Sequence, residues 1–190
     1  MPPTARFSRE DVLHAAYALV RREGPGALHA RALAREMHCS TQPIFRLFSG
    51  MDELMTEVKR LADETLCGRM RSQTDDSCNR YVSVCLTYML FARDEPELFK
   101  LLFMRDRMTD GSFGREYNIA WGFPVIERTM DVSREDAIKL YEHSFFYVHG
   151  LAVCIATKYT PCMEEARMEA LITESLLAAA KQLNITLKNI

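Results

Sequence analysis

Apolar residues recur every three or four positions along most of this chain, and nowhere do they alternate with the period of two that a half-buried strand needs. In FSREDVLHAAYALVRREG, beginning at Phe7, the residues Val12, Ala16, Leu19 and Val20 share one helical face. Ser8 stands three residues ahead of Asp11 as a cap pair, and Gly24 ends the run. A shorter pattern follows GPGAL, with Leu33 and Met37 four apart and Ala30 and Ala34 on the same face. Residues 38–40 interrupt it. Ser40 is placed to cap a third helix, and Pro43 falls in that helix's first turn, where a missing N–H costs nothing. The stretch EMHCSTQPIFRLFSGMDEL therefore predicts a tight helix-turn-helix.

Downstream, residues 52–70 carry Leu54, Met55, Val58, Leu61, Ala62 and Leu66 on one broad stripe, which predicts a long helix. SQTDDS, 72–77, is the one polar loop of that region. Another apolar block covers 78–93, and DEPELFKLLF starts afresh with Pro96 near its first helical position. RMTDGSFG, 107–114, reads as a loop. Residues 116–130 hold Gly122 and Pro124 within a helical pattern, so a kink or two short helices are expected. VSREDAIKLYEHSFFYVHGLAVCIAT reuses the Ser-Arg-Glu-Asp start of residue 8, and Thr160 with Pro161 opens a last helix ending near Leu183. The prediction is an all-α chain with an N-terminal helix-turn-helix domain at 1–51 and a C-terminal helical domain at 52–190.

Composition narrows the function classes. At 190 residues, 48% hydrophobic and 26% charged, the chain has room for a sizeable core, which excludes a disordered or fibrous class. Charge interrupts the first residues before any apolar run forms, so no secretory signal and a cytoplasmic location are expected. The longest stretch free of Lys, Arg, Asp and Glu, 143–157, is 15 residues, too short to span a bilayer. The six cysteines form no CxxC and no Cys/His ladder, so neither a metal site nor a disulfide framework is expected. With no HExxH, GxSxG or Gly-rich phosphate loop, and with His143 and His149 six apart and out of phase, no catalytic role and no cofactor are expected.

A helix-turn-helix presents the start of its second helix to the DNA major groove, so that helix should be polar or cationic outward and apolar inward. Ser40, Thr41, Gln42, Pro43 and Arg46 fit the outward face, and Ile44 and Phe48, four apart, fit the inward one. Gln42 suits adenine, and Arg46 suits guanine or a phosphate. Arg31, one helix earlier, is a further candidate for contact with double-stranded DNA. Charge agrees in sign: residues 1–60 hold nine Lys/Arg against seven Asp/Glu, whereas the remainder holds fifteen against nineteen.

Over residues 7–58 the chain resembles the tetracycline-repressor-like (TetR) transcriptional regulators. The residues that carry the resemblance are Leu33-Ala34 in the second helix, Phe45 and Phe48 as an aromatic-x-x-Phe pair, and Asp52-Glu53-Leu54 after the recognition helix. YMLFARDEPELFKLLF and FFYVHGLAVCIAT resemble a C-terminal domain type that has a His-Gly pair in a late helix. The chain departs from the family at four positions, with His38 where Gly is usual in the turn and Phe45, Leu47 and Met51 where side chains that donate to phosphates are usual. Such a chain either grips DNA weakly or leans on Arg6, Arg9, Arg31 and backbone amides.

The resemblance implies a small apolar or amphipathic effector in the C-terminal half, with Tyr88, Met89, Phe103, Trp121, Phe145 and His149 as candidate contacts. It also implies a homodimer joined by the last two helices, whose Leu140, Phe145, Val148, Leu151, Ile155, Met168, Leu171, Ile172, Leu176, Leu177 and Leu183 exceed what one small domain must cover. The implied function is that of a ligand-responsive repressor on a palindromic operator. A different reading of the same departures is a small-molecule or protein-binding module that no longer reads DNA specifically.

Overall fold

The computed structural model describes residues 7–72, 80–105 and 122–187. All regular structure among these is helical: α1 (Arg9–Glu23), a 3-10 turn (Pro25–Ala27), α2 (Ala30–Glu36), α3 (Gln42–Leu47), α4 (Met51–Arg71), α5 (Arg80–Asp94), α6 (Pro96–Phe103), α7 (Phe123–Met130), α8 (Arg134–Ala156) and α9 (Glu165–Leu183). The chain forms two compact units. One runs to Cys67 and takes in Glu95–Arg105; the other holds Gly68–Asp94 with α7, α8 and α9. α4 begins in the first unit and ends in the second, and α6 belongs to the first.

In the first unit the expected face of α1 is the buried one, with Val12, Ala16, Leu19 and Val20 all at most 2% exposed. The predicted cap pair is a reciprocal capping box. Asp11 N–H donates to Ser8 Oγ at 3.1 Å, and Ser8 N–H donates to Asp11 Oδ2 at 2.8 Å. Gly24 closes α1 at φ +86°, ψ 168°, a conformation that side-chain-bearing residues avoid, and a Cβ there would lie 2.7 Å from Glu97 Oε2 on α6. Glu95, just ahead of α6, is 4% exposed and accepts two bonds from the Arg21 guanidinium, at 2.5 and 2.6 Å. The carboxylate's burial is thus offset by a forked cation, the geometry in which such a pair is most favourable. His38 turns the chain at φ +50°, the left-handed region that favours glycine. Ser40 is not the cap of α3. Thr41 holds that position, and its side chain makes no capping bond.

In the second unit α5, α7, α8 and α9 enclose a core that includes Met89, Phe91, Leu140, Met168, Ile172 and Leu176, each 0% exposed. The repeated Ser-Arg-Glu-Asp start again caps a helix, Ser133 Oγ accepting from Asp136 N–H at 3.1 Å. Inside this core Tyr81 Oη and Ser144 Oγ are 2.6 Å apart, and Ser144 donates to Leu140 C=O at 2.7 Å, so a buried hydroxyl pair is satisfied. Burial pushes the neighbouring Cys85 thiol up to about 12, which leaves it protonated and unreactive at neutral pH. The last helix starts later than Pro161 suggests. Residues 161–164 are not helical, and Glu164 is the N-cap of α9. Proline tolerates a helix start without compelling one, and here the acidic pair Glu164-Glu165 marks it instead. The expected loop at 107–114 and the first part of the 116–130 pattern lie outside the described residues; from Phe123 the latter is a regular helix with Pro124 in its first turn.

Candidate nucleic-acid interface

Six residues make α3 too short to stand alone, so its face is fixed by what it buries. Ile44 and Phe48 are 0% and 2% exposed, as the spacing predicts. Gln42, Phe45 and Arg46 are exposed. At 100° per residue these three fall within one sector of about 100°, with Gln42 between the other two. Ser40 is exposed and Thr41 and Pro43 are half-buried at the entrance to the helix; Arg31 is exposed in the first turn of α2. Phe7, Cys39, Ser40, Pro43 and Arg46 line a shallow depression of about 260 Å³ beside that entrance. Of the predicted DNA-binding residues, Ser40, Thr41, Gln42, Pro43 and Arg46 are therefore grouped on and around one facet.

The other end of α3 is held by an arrangement that the sequence does not reveal. Arg9 reaches from α1 to donate to the Leu47 carbonyl at 2.7 Å and to Glu53 Oε1 at 2.6 Å, with its guanidinium 4.0 Å from the centroid of the Phe48 ring. A cation on the last carbonyls complements the helix dipole, so Arg9 fixes the C-terminal end of α3. Glu53 in turn accepts from Ser49 N–H at 2.6 Å and Ser49 Oγ at 2.7 Å. The Ser49 hydroxyl and amide, then Arg9, hold the Glu53 carboxyl down at about 2. Arg9, one of the expected phosphate contacts, is thus engaged inside the unit, with 47% of its side chain exposed. Arg6 lies outside the described residues. Phe45 is 53% exposed and Leu47 and Met51 are half-buried, and none of these three side chains carries a donor for a phosphate.

In the second unit three of the predicted effector contacts, Tyr88, Phe145 and His149, come together with Tyr141. Tyr141, Phe145 and His149, successive fourth residues of α8, stack with centroids 5.2 and 5.5 Å apart and planes within 13° and 18°. Tyr88 on α5 closes on this column, its hydroxyl 2.8 Å from His149 Nδ1 and its ring 6.5 Å from that of Phe145. Phe123 meets Tyr141 edge-on at 4.9 Å. Gly122 is required there, since a Cβ would stand 2.5 Å from the Tyr141 ring. Met89 is fully buried on the same helix as Tyr88. Phe103 lies on α6 in the first unit, its ring 4.8 Å from that of Phe99, and Trp121 is outside the described residues. Among the described residues no group of His, Cys, Asp or Glu is placed to hold a metal, and no helix is long and apolar enough to cross a membrane.

The fold is that of solved TetR-family transcriptional regulators. A protein assigned to that family from Vibrio parahaemolyticus superposes with a TM-score of 0.60 at 20% identity, over 90% of this chain and 97% of the other. A TetR-family member from Streptomyces coelicolor gives 0.64 at 16% identity, over 89% and 98%. A transcriptional regulator from Rhodococcus sp. Rha1 gives 0.61 at 15%, over 93% and 97%. No family model matches the sequence, and no curated protein matches it. At these identities the likeness is one of fold.

Proposed function

We propose that the chain is a TetR-type transcriptional regulator that acts by binding rather than catalysis. In this reading it is a cytoplasmic homodimer that sits on a palindromic operator as a repressor and leaves it when a small apolar or amphipathic effector enters the second unit. The observation that carries the reading is the exposed sector Gln42, Phe45 and Arg46, displayed by a short helix whose other face is buried and whose end Arg9 clamps. The fold likeness supports it. The column Tyr141-Phe145-His149 with Tyr88 groups aromatic rings with the bonded Tyr88–His149 pair, the mix of apolar wall and few polar groups that an effector pocket calls for. The dimer is supported by what α8 and α9 leave uncovered: Phe146 is 71% exposed, Tyr147 41% and Leu177 46%.

The second reading, a binding module without specific DNA recognition, draws on the apolar residues at 45, 47 and 51. Selection of duplexes from a random pool by the purified full chain separates the two. A regulator enriches a palindrome with half-sites about one helical turn apart. A folded, homogeneous protein that enriches nothing fits the module.

A further inference from the structure

We propose that Phe45 reads sequence, through the 5-methyl group of a thymine, one or two base steps from the base that Gln42 meets. The inference rests on the DNA-reading function above. The inward face of the helix is filled by Ile44 and Phe48, and Phe45 lies 53% exposed in a sector it shares with Gln42 and Arg46. Among the described residues of the first unit, Met104 is the one other large apolar side chain so exposed, and it lies beyond the end of α6. A phenyl ring cannot donate to a phosphate or pair with a polar base edge. Of the groups the major groove displays, the thymine methyl is the apolar one, and apolar side chains including Phe are its ordinary partners.

The spacing fits. Side chains three apart on a helix stand roughly 5–6 Å from each other, against a rise of about 3.4 Å per base pair, so Phe45 addresses a base one or two steps from that of Gln42. The substitution that removes a phosphate donor at this position thus supplies a base contact in its stead. The half-site is then expected to hold an A·T pair one or two steps from the pair read by Gln42.

The test uses the full chain and its selected operator, with each thymine of the half-sites replaced singly by deoxyuridine, which removes the methyl and leaves every hydrogen-bonding group in place. At one position in each half-site the wild type should lose about fourfold in affinity, the factor expected for one methyl group withdrawn from an apolar contact. Phe45→Ala should bind the thymine and deoxyuridine operators equally, with an unchanged thermal midpoint, and Phe45→Leu should keep a preference for thymine. Wild-type affinity that ignores the methyl at every position, or a preference that survives in Phe45→Ala, would overturn the inference while leaving the regulator reading intact. A folded protein that selects no duplex would overturn both.

Discussion

His38 holds a left-handed backbone angle in the turn ahead of α3. Its φ of +50° lies in the region that favours glycine, and its side chain is exposed, so replacing it removes little packing. His38→Gly should raise the unfolding free energy by about 0.5–1 kcal/mol, the strain relieved less the extra freedom glycine gives the unfolded chain, as urea melts would show. Glu53 makes the opposite case, because nothing in its sequence neighbourhood announces that Arg9, 44 residues away, will meet it. Its carboxyl is depressed to about 2 from an ordinary 4.5, so its contribution is fully present above pH 4.5 and is lost as pH falls towards 2. Thermal melts of wild type and Glu53→Gln between pH 6 and 3 should converge as the pH drops. A constant gap would mean that the Ser49 and Arg9 contacts do not govern the shift.

At the scale of elements, helix position and facing were legible wherever local chemistry decides them. The caps at Ser8 and Ser133, the proline in the first turn of α3 and the buried pair Ile44 and Phe48 all follow from spacings of three or four residues. Legibility failed where neighbouring residues compete for a helix start and where the deciding partner is distant in sequence. Ser40 gave way to Thr41 at the α3 cap, α9 begins after Pro161 rather than at it, and α6 joins the first unit through Arg21 and Glu95, 74 residues apart. Gly24 belongs to both categories. Its role as a helix stop reads from the sequence, while its close approach to Glu97 does not. Gly24→Ala should cost about 2 kcal/mol, chiefly from a backbone conformation that is essentially glycine's alone. A change below about 0.5 kcal/mol would show that the loop relaxes at no cost.

For the whole molecule, the apolar surplus of the last two helices is smaller than the sequence suggests. Leu140, Val148, Met168, Ile172 and Leu176 are at most 2% exposed within one protomer, while Phe146, Tyr147 and Leu177 are left outward. A two-fold interface built on that remainder predicts a dimer mass by light scattering at micromolar concentration, reduced to a monomer mass in Phe146→Glu/Leu177→Glu with helicity retained. A monomeric wild type would remove the dimer from the account. The central claim, that the sector around Arg46 meets a specific operator, is tested most directly by titrating that operator in increasing salt with wild type and with Arg46→Ala. If Arg46 pairs with guanine, Arg46→Ala should lose about 1–3 kcal/mol for that operator and relax preference at one base position per half-site; if it meets phosphate, the loss should be uniform and the salt slope should flatten by about one unit. The wild-type slope itself should be shallow for a dimeric helix-turn-helix protein, since positions 45, 47 and 51 carry no charge. A steep wild-type slope, with Arg46→Ala indistinguishable from it, would contradict the account and place the DNA on another surface.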